Sequence, residues 1–400
     1  MVNFTFTVLN EEQCTAAAGN HSLAILNCAE TYEELAAGLN DLIAEAENLQ
    51  VITVGDKVYQ TEFFLGGDWK FLALVGGIDS ANAEHSCIWC KCPKHQRYDM
   101  TQEWSISDKT KGARTIEENI HLSTKPKRSK QHFNCSLFRF IPIDHVVIDT
   151  LHLFLRVADI LVNLLISDLR FQDGIEKATS VNYDPSMCTH LALYEKFLNE
   201  SCKISFKFYT SEESKKLCWR DLTGPEKHPL FEHIDIVKLF PSLPRNKEIQ
   251  RLWCEFMCLI KKLGKEQCDA TEFGKAAKEW VNSFTSLYQT SDVTSYMHAM
   301  AMHVPEFLNL CGDISKFTQQ GLEKLNDVTT KDFLRGTNHR NGALQQILER
   351  RNRVEELEDH GCKKKRRLQK CQLCYNIGHN CRTCPSRKPT WDETVRITNN

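Results

Sequence analysis

The chain has no excess of either charge. Across 400 residues, 50 Lys and Arg stand against 52 Asp and Glu, a net charge of −2. That balance excludes a histone-like polycation, so any nucleic-acid contact has to be a local patch. Proline and glycine are scarce, 11 and 18 residues, and there is no tandem repeat. This excludes a collagenous or low-complexity chain and leaves globular material, which the 42% apolar content supports. Met1-Val2-Asn3-Phe4 offers neither a basic n-region nor a long apolar h-region, so a secretory signal is not expected. Long apolar runs are missing too. The most apolar stretch, Leu151 to Leu165, is interrupted by His152, Arg156, Asp159 and Asn163, so no membrane attachment is expected. Cysteine, by contrast, is abundant at 18 residues. Without a secretory signal, that number favours reduced thiols and metal sites over a disulfide scaffold.

Hydrophobic periodicity gives a coarse map. Phe4, Phe6 and Val8 alternate with polar residues and predict a strand. Thr31 and Glu34 fit a capping box ahead of a helix whose apolar face is Leu35, Leu39, Leu42, Ile43 and Ala46. Val51 to Val54 is a short β-branched run, and Trp69 to Ile78 reads as a buried strand ending at Asp79. Residues 85–135 are rich in Cys, His, Lys and Arg with little apolar period. A helix is predicted over Ile148 to Leu165, with His152, Arg156, Asp159 and Asn163 as its polar stripe. Residues 180–310 read as mostly helical, with loops at Thr223-Gly224-Pro225 and Phe240-Pro241-Ser242-Leu243-Pro244. A charged helix, Ala343 to Leu357, leads into the basic run Lys363, Lys364, Lys365, Arg366 and Arg367.

A Cys/His module follows that run. Cys371-x2-Cys374-x4-His379-x4-Cys384 has the spacing of a CCHC zinc knuckle, four ligands that close a tetrahedron if the chain turns tightly, as Gly378 permits. Cys381 is an extra thiol in the last loop. So small a loop folds only with its metal. Its text, GHNCRTCP, resembles the ending of knuckles attached to plant transposases and retroviral-type nucleocapsids. Such knuckles grip single strands with a basic surface and an exposed ring. Tyr375, Arg382, Arg387 and Lys388 are suited to that task, and the basic run adds phosphate contacts. Read otherwise, Lys363 to Arg367 is a solvated linker or a nuclear import signal. Lys125 to Lys130 is the next basic candidate.

Two further pairs have metal-ligand spacing. Cys87-x2-Cys90 and the distant His298-x4-His303 can make a structural Cys2His2 site across more than 200 residues, with Cys92 a spare thiol nearby. Cys254 and Cys258 share a helix face, where Trp253, Phe256 and Met257 suggest packing.

The order of these anchors resembles a family. A strand ending in Asp79, then Cys87-x2-Cys90, a long helical insertion, His298-x4-His303 and finally Glu323 is similar to the core of DDE transposases with an RNase H-like fold and a zinc-containing insertion. Transib-type transposases and the related antigen-receptor recombinase share this order. Tyr296-Met297-His298, His303-Val304-Pro305-Glu306 and Gln320 to Asn326 carry the likeness further. The resemblance implies an α/β, RNase H-like fold with a large, mainly α-helical insertion. It implies these segments: a partial core over 1–84, a zinc-stapled insertion over 85–310, a returning helix over 311–345, a charged helix and basic linker over 346–370, and the knuckle over 371–390. By match, Asp79 and Glu323 are two of three catalytic carboxylates that would hold two Mg²⁺.

The family's first catalytic Asp belongs on a strand upstream of the one beginning at Val2. Asp41 and Asp56 follow the second strand and do not replace it. The first strand is therefore expected to be missing, and with it most of the Mg²⁺ affinity and nearly all of the strand cleavage. The expectation for the chain is a zinc-dependent nucleic-acid-binding protein of transposon origin, a remnant or fragment of a DDE transposase. It is expected in the nucleus, on DNA rather than RNA, with Zn²⁺ at two sites and a homodimer as one assembly. The alternatives are an active transposase in a longer product and a helical protein-interaction scaffold.

Overall fold

The computed structural model describes residues 2–124, 134–175, 183–214, 216–264, 268–337 and 342–359. The chain is mixed α/β, predominantly helical, with small sheets. It forms two compact units, the first over Met1–Lys331 and the second beginning at Asp332.

The first unit opens with strands β1 (Val2–Phe6) and β2 (His21–Leu26), an antiparallel pair with a register shift after Phe4. Helix α1 (Tyr32–Asn48) follows. Its N-cap, Thr31, accepts a hydrogen bond from Glu34 N, while the Glu34 carboxylate accepts one from Ala29 N. Leu35 and Leu39 form its buried stripe. Next comes a hairpin of β3 (Val51–Val54) and β4 (Lys57–Gln60), all eight residues of which are exposed.

Trp69–Val75 is helix α2 and not the strand expected. A short run that is apolar but for Lys70 is compatible with either state, because it shows neither periodicity. The deciding residue is Asp68, whose carboxylate accepts from Phe71 N 2.8 Å away and caps the helix. The turn after α2 needs glycine. Gly77 has φ of +65°, and a Cβ there would lie 2.1 Å from Asn134 O. That clearance lets residues 134–137 run along the end of α2, where Leu137 N donates to Val75 O.

Beyond the short α3 (Ile116–Ser123), the centre of the unit is α4 (Thr150–Gln172). Against it pack α5 (Thr189–Glu200), α6 (Gly224–His233), α8 (Asn246–Leu263) and α10 (Ser295–Met302); the two-residue strands β5 (Tyr209–Thr210) and β6 (Leu217–Cys218) pair with each other, α7 (Ile236–Leu239) packs on α8, and α9 (Ala270–Leu287) packs on α8, α10 and α11 (Val304–Cys311). Helix α4 is long and apolar enough to cross a membrane, and half of that stretch is buried inside the protein. Its polar residues have partners within the fold: Asp159 pairs with the buried Lys227 at 2.7 Å, and Asp168 accepts from Tyr288 Oη at 3.3 Å. Thr223-Gly224-Pro225 begins α6 instead of a loop, because Thr223 and Glu226 form a capping box and proline is tolerated in a first turn. Helix α12 (Gln320–Gly336) runs from the first unit into the second, where α13 (Ala343–Asp359) follows and Arg350 pairs with Asp332 at 3.0 Å.

The starts of α2 and α4 are aligned by a parallel bridge, Leu65 to Val146, three residues before each cap. Asp149, only 2% exposed, accepts from Leu151 N, His152 N and the His152 ring, and from Gln319 N just ahead of α12. One carboxylate thus ties two helix starts together. Replacing Asp149 with Ala should lower stability by about 2–4 kcal/mol, since it orphans several buried donors. D68A, with one cap bond, should cost about 1 kcal/mol. Urea midpoints measure both, and equal losses would contradict the tie.

Candidate metal centre

Cys87, Cys90, His298 and His303 are all fully buried, and their ligand atoms lie within 4.8 Å of one another. Cys87 Sγ is 3.3 Å from His303 Nε2, and Cys90 Sγ is 3.3 Å from His298 Nε2. Tetrahedral zinc with ordinary bond lengths needs S···N edges of about 3.5 Å. The cluster therefore has the donors and the span to hold a metal such as zinc.

Each half is built locally. The C-x2-C turn folds around the guanidinium of Arg114, itself 2% exposed. Arg114 Nε donates to Cys87 O at 2.9 Å and Cys90 O at 3.1 Å, and Nη2 donates to His85 O at 2.7 Å. Arg114 N to Trp89 O and Lys91 N to Gly112 O complete a short ladder. The histidine half is a helix junction. Thr294 caps α10, and His303 ends it, with Pro305 in the first turn of α11. The two imidazoles stand 5.0 Å apart, nearly perpendicular. Trp89 fills the space beside them, 5.6 Å from His303 and edge-on to Trp69 and Phe307.

The electrostatics suit a thiolate–imidazole cluster. Burial acts to raise the Cys87 thiol, but a hydrogen bond from Cys90 and the charge of His303 hold it well below its ordinary range. Burial likewise opposes charge on His303, which the Cys87 thiolate and Glu306 outweigh, pushing it up to about 9. Glu306 Oε2 lies 3.5 Å from His303 Nδ1 and accepts from Ile106 N at 2.9 Å, while its Oε1 accepts from Ser105 Oγ. A carboxylate placed behind a ligating imidazole in this way orients the ring. His298 Nδ1 is buried with no hydrogen-bond partner among the described residues. Cys92 stands outside the cluster, its Sγ 3.5 Å from Pro93 O, and burial pushes its thiol up strongly.

The other predicted residues fare differently. Asp79 is half-buried in the turn after α2, and Glu323 is exposed in the first turn of α12. The charge of Glu323 reaches His152, as do those of Asp149 and Asp68. Burial opposes protonation of His152, but its bond to Asp149 and these three carboxylates raise it above its ordinary 6.5. Asp68, Asp149 and His152 were not among the sequence-predicted ligands; their signal is that of helix caps ahead of apolar runs. Cys254 and Cys258 are exposed, contrary to the packing role expected, because the buried stripe of α8 runs through Trp253, Phe256 and Leu259. Lys363, Lys364, Lys365, Arg366, Arg367, Cys371, Cys374, Tyr375, His379, Arg382 and Cys384 lie outside the described residues, as does the patch at 125–130. Compared with known proteins, the chain matches no family model and no curated sequence.

Substituting Cys87 with Ser should release one equivalent of zinc per chain, whereas C92S should release none. E306Q should weaken zinc affinity about 10–100-fold while leaving the stoichiometry intact. Metal analysis by mass spectrometry reads all three. His152 gives a pH test: its charged form contributes stability that is complete below pH 6.5 and lost as pH rises through its higher folded value. Unfolding midpoints should fall over that window in the wild type and stay flat in H152N.

Proposed function

We propose that this chain is a zinc-dependent nucleic-acid-binding protein of DDE-transposase descent. One observation carries the reading: two ligand pairs more than 200 residues apart close into a single buried Cys2His2 cluster. A chance C-x2-C and a chance H-x4-H have no reason to meet. The order of these pairs, with Glu323 following them, is the order of the family the sequence resembles. On this reading β1, β2, α1 and α2 belong to an RNase H-like core, the helices between the two ligand pairs form the insertion, and Zn²⁺ closes its base. A second Zn²⁺ in Cys371, Cys374, His379 and Cys384 folds the knuckle that presents Tyr375 and Arg382 to DNA, with Lys363 to Arg367 on its phosphates. Nuclear localisation follows from such a target.

Glu323 retains, on this reading, the capacity to bind a hard cation together with a second carboxylate. Asp79 is the partner that the motif order assigns. Asp68 is the partner whose charge converges with that of Glu323 on His152. The exposed β3–β4 hairpin, with Val54 63% and Val58 67% exposed, favours a protein-contact role as a second reading.

Binding to single- and double-stranded DNA at several salt concentrations tests the main reading. Neutralising the five basic residues Lys363 to Arg367 should reduce the salt slope by several units. C371S should weaken binding to single strands. Equal affinity in both variants and the wild type would refute it and leave the protein-contact reading. For the carboxylates, Mn²⁺ affinity should fall in E323Q and in only one of D79N and D68N, which identifies the partner.

A further inference from the structure

Far from the Cys2His2 cluster in sequence, three side chains form a hydrogen-bonded relay. Asp173 ends α4 and its side chain is 1% exposed. Its Oδ1 lies 2.8 Å from His190 Nδ1. His190, in the first turn of α5, places Nε2 3.1 Å from Ser242 Oγ. Ser242 is exposed, in the turn Pro241-Ser242-Leu243-Pro244 between α7 and α8.

The tautomer follows from the donor inventory. An ionised Asp173 only accepts, so His190 Nδ1 carries the proton. Nε2 then holds a lone pair, and the Ser242 hydroxyl donates to it. This is the nucleophile, base and orienting-carboxylate arrangement of acyl-transfer sites, recognised by geometry and not by chain order. A simpler role accounts for part of it. Asp173 also accepts from His190 N and Leu191 N, both at 2.9 Å, and so caps α5, whose own N-cap residue Cys188 brings no side-chain bond. Capping does not explain the link from Nε2 to an exposed serine on a separate turn.

A second feature bears on the reaction. Helix α8 begins at Asn246, four residues after Ser242, and its N-cap residue Arg245, at φ of +57°, supplies no side-chain cap. The first-turn N–H groups of an 18-residue helix carry partial positive charge, and this one starts four residues from Ser242. Leu243 N is not free for this role, since it donates to Phe240 O at 3.1 Å.

We propose that Ser242, His190 and Asp173 form an esterase site for small, activated carboxylic esters. Ser242 Oγ attacks the ester carbonyl while His190 Nε2 takes its proton. The tetrahedral oxyanion faces the start of α8. Collapse breaks the C–O bond, and the leaving alcohol receives the proton from Nε2. Water then attacks the acyl–Ser242 ester, again losing its proton to Nε2; collapse breaks the acyl–Oγ bond, Ser242 Oγ takes that proton back from Nε2, and the acid leaves. Asp173 positions the imidazole and touches no substrate. The small acyl class follows from the exposure of Ser242, which leaves a long chain unburied.

The test uses the full chain and a fluorophosphonate, which forms an Oγ–P bond and expels fluoride with the proton taken by His190. Peptide mapping should show Ser242 labelled faster than the other exposed serines by about 10²-fold or more, the contribution of a general base. H190A keeps both backbone donors to Asp173, so the fold persists; circular dichroism and zinc content check this. Labelling of Ser242 should fall by the same factor in H190A, and p-nitrophenyl acetate hydrolysis should be lost in both H190A and S242A. Should H190A fail to fold, the wild-type labelling pattern and S242A, an exposed change, still decide. Absence of a Ser242 adduct in the wild type, unchanged labelling in folded H190A, or full ester hydrolysis by S242A would each overturn the proposal.

Discussion

The closure of Cys87 and Cys90 on His298 and His303 is the constraint on which the first unit depends. Bringing two ends together across about 200 residues costs on the order of 5 kcal/mol in loop entropy. Structural zinc in finger peptides contributes about 10–16 kcal/mol, so a zinc ion held by this cluster would outweigh closure with a margin. Helices α4 to α9 all lie within that loop. Their packing around α4 is thus anchored at one place, and the wall beside the anchor is aromatic. Trp89 connects the cysteine turn to α2 through Trp69, and Tyr296 of α10 meets Trp69 from the other side, its hydroxyl accepting from Trp69 N at 3.3 Å.

A second organising point is the meeting of helix N-termini. The Leu65–Val146 bridge sets Asp68 and Asp149 level, and Gln319 N brings the start of α12 to Asp149. The N-terminal ends of α2, α4 and α12 favour negative charge, and Asp68, Asp149 and Glu323 supply it. His152, held by Asp149, is the basic group among them, raised above its ordinary value by these carboxylates against the opposing effect of burial. This concentration of carboxylates follows from capping chemistry alone.

Much of this was readable from residue patterns, for reasons that differ by element. The Thr31 cap, the Val51 strand and the long helix of the Leu151 region carry their own local signals and appear as expected. The split cluster was legible only because ligand spacing is chemical information that survives any intervening length. The Trp69 run failed because a short stretch apolar at all but Lys70 shows no period, and the cap at Asp68 is one residue weighed against ten. The exposure of Cys254 and Cys258 was lost to their neighbours, since i and i+4 fix a shared face and not which face is inward. The relay of Asp173, His190 and Ser242 has no spacing rule at all. It comes from three separate connections and is visible only in three dimensions.

Arg114 shows how the two halves of the cluster are made ready before they meet. A buried guanidinium is costly unless its donors are used, and here Cys87 O and Cys90 O of the turn, and His85 O just before it, accept from it. The turn therefore has its ligand geometry from contacts within about thirty residues, independent of the histidines. The histidine half is equally local, because His303 N bonds Ala299 O and the α10–α11 junction fixes both rings. Two preformed halves lose little further conformational freedom on docking, which leaves the metal to offset only loop closure and the burial of two thiolates. Glu306 also joins the Ser105 loop to the histidine side, so that loop is tied to α11 by a carboxylate. Loss of the metal would then release the imidazole and thiolate from each other before it released Arg114 from its carbonyls. The cysteine turn should persist as a local structure while the 200-residue loop opens.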